Sequence, residues 1–305
     1  MSRHVGAPLD ARPQWVERGE RGSEALMRLI TWLTFALGRR AGRLLLYPIC
    51  AYFFAFSARA RRASRDYLGR VLGRRAGLAD LVRHYHCFAS TIHDRLYLAT
   101  GRLDEFEVSV DASPQAMQWL RSGRGCLLLG SHLGSFEILR ARSLADHVPP
   151  VNVLMHVENA GKTNRVLDSI APALKSRVIA LGEPESVLRI QECLARGEIV
   201  GILGDRVWND ARTARCDFLG AAARFPLGPL LLAGLLAAPV ILFFGLYRGG
   251  RRYEIRLEPF AERVTLERAQ REASVRPWVE RYAQRLEHHC RSAPYNWFNF
   301  YDYWR

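Results

Sequence analysis

Between Gly130 and Glu137 the chain reads Gly-Ser-His-Leu-Gly-Ser-Phe-Glu, and two of these residues, His132 and Glu137, carry side chains able to move a proton. An imidazole takes a proton from a hydroxyl or an amine, and a carboxylate beside it fixes its tautomer and orientation. On a continuous helix residues five apart diverge by about 140°. The pair therefore meets only if His132 lies in a turn and Glu137 in the first turn of a helix, with Gly134 supplying the bend. Ser131 and Gly134 are assigned to substrate binding, because backbone donors near Gly134, at a helix N-terminus, suit the negative charge of a tetrahedral intermediate. The plain structural alternative is a capping Ser131 in a turn that happens to contain a histidine. The nucleophile elbow of a serine hydrolase is absent: its G-x-S-x-G would place serine where the chain has His132.

The elements that must position this pair are legible on either side. An apolar run, Cys126 to Leu129, precedes it and a helical segment, Ile138 to Ala145, follows it. His132 thus falls at the carboxyl end of a strand, where α/β sheets place ligands. Further apolar runs at Val151 to Met155, Val178 to Leu181, Ile199 to Leu203, Pro239 to Leu246 and Tyr253 to Leu257 alternate with helical segments. This alternation predicts an α/β fold, a mixed central sheet flanked by helices. The uncharged stretch Phe225 to Tyr247 is interrupted by Pro226, Pro229 and Pro239 and reads as a short helix followed by a buried strand.

The first hundred residues differ in kind. From Ala25 to Ala79 there are eleven arginines and one acid, Asp66, for a net charge of 11 − 1 = +10. Apolar runs carrying Trp32, Tyr47, Tyr52, Phe53 and Phe54 are bordered by Arg39, Arg40, Arg43, Arg59, Arg61 and Arg62, a pattern suited to helices lying in an anionic interface. The longer uncharged run holds about fifteen residues and contains Pro48, shorter than the roughly twenty a crossing requires. A further helix is expected over Leu81 to Thr100. The expected organisation is an N-terminal helical membrane-docking region, residues 1–100, and one α/β unit, residues 101–305.

The whole chain carries a net charge of +14 in 305 residues, and Lys162 and Lys175 are its two lysines. Such a charge suits anionic lipid, nucleic acid or an acidic carrier protein. Nucleic acid is disfavoured, since the arginines interleave with apolar runs too long for a solvated face and no nucleic-acid motif is present. The six cysteines, at 50, 87, 126, 193, 216 and 290, show no C-x-x-C spacing and are read as buried thiols in a reducing compartment. Met1 to Gln14 contain no apolar h-region, so no cleavable secretory signal is expected there.

Three longer stretches give these residues a family context: 130–137, the run Leu-Gly-Asp-Arg-Val-Trp at 203–208, and Asp-Phe-Leu-Gly-Ala-Ala-Ala-Arg-Phe-Pro at 217–226. With the aromatic close Asn-Trp-Phe-Asn-Phe-Tyr-Asp-Tyr-Trp at 296–304, the chain from about Glu17 onward resembles the lysophospholipid acyltransferase superfamily. Its signature is H-x-x-x-x-D/E, and the branch is that of bacterial lipid A late acyltransferases. The resemblance implies transfer of a fatty acyl chain from an acyl carrier protein or coenzyme A thioester to a hydroxyl or amine of a lipid-like acceptor. It implies catalysis by His132 with Glu137 as its acidic partner, without metal or prosthetic group. The expected setting is the cytoplasmic face of the bacterial inner membrane, with the protein peripheral or monotopic and anionic lipid and the carrier protein as partners. The family's Asp-Gln turn stands here as Asp205-Arg206; both residues are assigned to substrate binding, Arg206 as a candidate phosphate or carboxylate contact, equally a local turn group. Arg224, before a helix starting near Pro226, is a second candidate anion contact. The rival from another class is a membrane-bound scaffold without catalysis, against which the intact His132 and Glu137 speak.

Two ligand-rich clusters invite metal chemistry. His84, His86, Cys87 and His93 match no standard zinc spacing, and His288, His289 and Cys290 are expected as surface or capping groups near the end of an amphipathic helix. The aromatic tail from Trp297 to Trp304 is expected to pack on the core, with an acyl-chain slot as its alternative.

Overall fold

The computed structural model describes residues 24–145, 149–155, 177–182, 185–208 and 212–304. Met1 to Gln14, Glu17, Lys162 and Lys175 lie outside them. Helices α1 (Glu24–Phe56), α2 (Ala58–Leu72) and α3 (Leu78–Ala99) come first. They lead into β1 (Glu107–Ala112), α4 (Pro114–Arg121), β2 (Cys126–Gly130), α5 (Glu137–Ala145), β3 (Val151–Met155) and β4 (Val178–Ala180). There follow α6 (Glu185–Ala195), β5 (Ile199–Leu203), β6 (Thr213–Phe218), β7 (Ala221–Pro226), α7 (Gly228–Leu236), β8 (Val240–Tyr247), β9 (Arg252–Ala261) and α8 (Arg271–Ser292).

Seven strands form one mixed sheet in the order β1-β9-β8-β2-β5-β3-β4. The β8/β9 pair is antiparallel and the neighbours β8/β2, β2/β5, β5/β3 and β3/β4 are parallel. Both faces are covered, which is why the central strands read as continuous apolar runs. Leu127, Leu129, Val200, Ile202, Leu242 and Phe244 face one side, with α7, α8, the β6/β7 hairpin and the aromatic tail. Cys126, Leu128, Ile199, Ile241 and Phe243 face the other with α4 and α5, in the period-2 alternation of a strand.

The expected strands are present. The sequence reading missed β1 and the antiparallel β6/β7 hairpin, both with polar or small residues at alternate positions and hence no apolar run. The short helix and buried strand read into Phe225 to Tyr247 are α7 and β8.

The N-terminal helices are joined to this core. Tyr67 and Leu68 of α2 and Leu81 of α3 are buried in the same cluster as Leu127 and Val200. Helix α1 is interrupted at Gly38 (φ 80°, ψ 165°). Its inner side buries Thr31, Thr34, Arg39 and Leu46, whereas Leu29, Trp32, Leu37, Leu44, Tyr47, Tyr52 and Phe56 are exposed. Among the described residues no single helix is long and apolar enough to cross a membrane; α1 from Arg28 and α2 meet at a bend of 98°.

Candidate active site

Strands β2 and β5 are parallel neighbours in register, Gly130 opposite Leu203. Each continues two residues past that pair into a side chain with chemistry, His132 after β2 and Asp205 after β5. The sheet thereby brings together two residues 73 positions apart, with His132 Nδ1 2.8 Å from Asp205 Oδ1. The other carboxylate oxygen accepts the His132 backbone N–H at 3.0 Å and the Trp297 Nε1–H at 2.9 Å. Tyr303 donates its hydroxyl to the Asp205 carbonyl at 2.8 Å, and Tyr282 to the Gly130 carbonyl at 2.7 Å.

The protonation states follow. Burial alone would raise the Asp205 carboxyl, but the His132 ring, the Arg206 charge and the backbone donor hold it down to about 2. An ionised carboxylate only accepts, so Nδ1 carries the hydrogen and the lone pair is on Nε2. Burial lowers the His132 pKa below its ordinary value, Arg206 adds to the shift, and Asp205 opposes it. The ring is neutral near pH 7, and its side chain keeps 27% exposure, while Asp205 keeps 1%. A neutral, oriented and reachable imidazole is what a general base requires.

Glu137, the expected partner of His132, is held by two arginines. Glu137 opens α5, as the spacing demanded, but its carboxylate accepts Arg95 Nη2 at 3.2 Å on one oxygen and Arg140 Nη1 at 3.5 Å on the other. Two guanidinium groups attract that carboxylate more strongly than a neutral imidazole can, and the imidazole is held by Asp205. Sequence reasoning had placed Asp205 in substrate binding and missed its link to His132. Both residues stand two positions past the ends of β2 and β5, and only the strand order, which no local pattern states, makes those ends neighbours.

The turn itself is fixed from several sides. Gly134 has φ +84°, and a Cβ there would collide with the Gly245 carbonyl of β8. The expected backbone donors are already committed: Leu133 N–H to Ser131 Oγ (3.3 Å), Gly134 N–H to the Asn296 carbonyl (2.8 Å) and Ser135 N–H to the Gly245 carbonyl (2.7 Å). Ser131 and Gly134 therefore build the turn, and the amides of 132–135 are not free for an oxyanion. Phe298 N–H donates to the His132 carbonyl at 2.9 Å, and Leu133 bridges Trp297, so the aromatic tail lies along the turn as an extra strand-like segment. Trp297 and Tyr303 are buried, in keeping with a tail packed on the core.

The remaining candidates separate. Arg206 donates to the Phe298 carbonyl at 3.0 Å and stacks over Tyr301, so it serves the tail as well as the field at His132. Arg224 is exposed on β7, opposite Arg215 of β6, in a hairpin apart from the main sheet. His84 is fully buried, its Nε2 bonded to the Trp297 carbonyl at 2.9 Å and its Nδ1 to Ser64 at 2.8 Å. His289 and Cys290 depart from expectation: they lie on the inner side of α8, with His289 bonded to Glu258 at 3.1 Å and packed on Phe244, because the helix buries that stripe against β8. The six cysteines are free thiols, and burial pushes Cys126 up to about 12.

Compared with known proteins, residues 23–305 match the family model described as bacterial lipid A biosynthesis acyltransferase. No curated protein matches the chain.

Proposed function

We propose, from the premise that this chain belongs to the bacterial lipid A biosynthesis acyltransferase family and is an acyl-transferring enzyme, that it moves a fatty acyl chain from an acyl carrier protein thioester to a hydroxyl or amine of a lipid-like acceptor. The observation that carries the reading is the 2.8 Å bond between His132 Nδ1 and Asp205 Oδ1, which leaves Nε2 basic. Nε2 takes the acceptor's proton as its oxygen or nitrogen attacks the thioester carbonyl. Asp205 holds the ring and stabilises the imidazolium that forms. The tetrahedral intermediate collapses with loss of the thiolate, which recovers a proton from the imidazolium. With the amides of 132–135 engaged, developing negative charge faces the positive end of α5, whose first N–H groups have no partner within the helix.

The surface of α1 supports a place at a membrane. Seven exposed apolar side chains, Trp32 and Tyr47 among them, run along it, and Arg40, Arg59, Arg62 and Arg65 are exposed beside them on α1 and α2. Large exposed apolar stripes rimmed by charge mark interaction sites, and arginine near an anionic surface contributes about 1 kcal/mol each. We place the protein at the cytoplasmic face of the bacterial inner membrane, peripheral or monotopic, with residues 1–100 as its docking region and 101–305 as its catalytic unit.

The test is to incubate the protein with radiolabelled acyl carrier protein and bacterial lipid extract in detergent. A new labelled lipid is expected from wild type and none from folded His132→Gln protein. Transfer by that variant at the wild-type rate would sink the assignment of His132, and faster transfer from acyl coenzyme A at every salt concentration would sink that of the carrier protein.

A further inference from the structure

Among the described residues three hydrogen bonds reach the Asp205 carboxylate, and two of them come from His132 itself, ring and backbone. Those two join the pair without fixing where it stands. The third comes from Trp297, whose Nε1–H meets Oδ2 at 2.9 Å. That indole is too tightly held to follow a wandering carboxylate. It is fully buried, with the rings of Tyr67, Phe218 and Tyr303 at 4.9, 5.3 and 4.8 Å from its own. Its carbonyl accepts His84 Nε2 at 2.9 Å, and its backbone bridges Leu133 of the turn that carries His132. An indole nitrogen only donates. A hydrogen on Oδ2 would meet it head-on, so the contact selects the ionised carboxylate and leaves the shared hydrogen on His132 Nδ1.

We propose that Trp297 is a positioning residue of the acyl transfer: it holds Asp205 in the orientation that aims His132 Nε2 at the acceptor, and it tempers the charge that Asp205 presents to the ring. This inference rests on the assignment of His132 as the base. The imidazolium must first form and then return its proton to the departing thiolate. A carboxylate that shares its charge with a third donor stabilises the imidazolium less, which eases that return. Packing alone would also bury an indole here and find its N–H a partner. The two readings part at the proton affinity of His132, which packing does not set. The other titratable and charged groups around Asp205 are Arg206, Tyr282 of α8, Tyr301 and Tyr303 of the tail, and Cys290. Burial raises the pKa of the three phenols and of the thiol, so they stay neutral through the range in which His132 titrates.

The test replaces Trp297 in the full-length protein by β-(3-benzothienyl)alanine, which keeps the fused ring and puts sulfur where the N–H stood. In the detergent assay kcat is expected to fall roughly ten- to a hundredfold, with the KM for acyl carrier protein and for lipid extract near wild type. The acid limb of kcat/KM should move to higher pH, because a carboxylate with one donor fewer holds the imidazolium more tightly. The titration of the His132 ¹³Cε1 resonance, assigned by its loss in His132→Gln, should move with it. Trp297→Phe removes the same donor by a different route and should shift the resonance in the same direction. A resonance that stays put or moves to lower pH, whatever the rate, makes Trp297 a packing residue and overturns the proposal while leaving His132 as the base. A resonance that moves up while rate and limb remain those of wild type takes the base away from His132, and the role of Trp297 in transfer falls with it.

Discussion

An aspartate, an imidazole and one indole N–H decide what the site can do at the scale of single residues. Asp205→Asn keeps the shape of the carboxylate but offers an NH2 group to Nδ1, so the ring can turn its hydrogen to Nε2 and present no lone pair to the acceptor. Transfer is expected to fall roughly a hundredfold to ten-thousandfold, measured as kcat/KM on protein whose circular dichroism is unchanged. Because burial and Arg206 place the His132 pKa below its ordinary value, wild-type kcat/KM should climb with pH through an apparent pKa below the histidine norm and level off above it. Glu137→Gln should leave that pH limb where it is. A limb that moves with Glu137 and stays fixed in Asp205→Asn would reverse the two acids' roles.

The elements matter through where they end. Strands β2 and β5 stop side by side, and the turn after β2 must then pass close over β8, which the positive φ of Gly134 and the collision a Cβ would meet at Gly245 make specific to glycine. Gly134→Ala should cost roughly 2 kcal/mol or more and remove activity, read as a drop in Tm together with loss of transfer. A variant of wild-type Tm and rate would show the turn to be permissive. Legibility in the sequence follows from the same distinction. The strand before His132, the helix from Glu137 and the buried β8 were readable because apolar period and proline punctuation are local. The pairing of His132 with Asp205 was not, because strand order is set by tertiary packing: β2 lies between β8 and β5, and no local pattern states that. The arginine contact of Glu137 was not legible for a related reason, since Arg95 comes from α3, 42 positions earlier. His289 was misread because an amphipathic helix tells how wide its buried stripe is less clearly than that it has one.

Across the whole molecule, the aromatic tail and the N-terminal helices are tied through His84, which donates from Nε2 to the Trp297 carbonyl and accepts from Ser64. Burial lowers its pKa from 6.5 to about 4, so in the folded protein it stays neutral over a range where the unfolded chain takes up a proton. The unfolded state then binds more protons, and stability is lost as pH falls from 6.5 towards 4, by about 3 kcal/mol in all. Denaturant titrations at pH 7 and pH 5 should show that slope in wild type and a shallower one in His84→Gln; equal slopes would assign the acid sensitivity to other groups. The three segments that meet at Asp205 also carry a kinetic consequence, for they are separated by 73 and 92 positions along the chain. Helices and nearest-neighbour strands assemble quickly, whereas contacts of such separation wait on closing long loops. During refolding from denaturant, helical ellipticity should therefore return before any catalytic turnover does. A protein caught between those two events already carries the exposed apolar side chains of α1 on a formed helix, yet it cannot acylate, so that surface matures ahead of its chemistry.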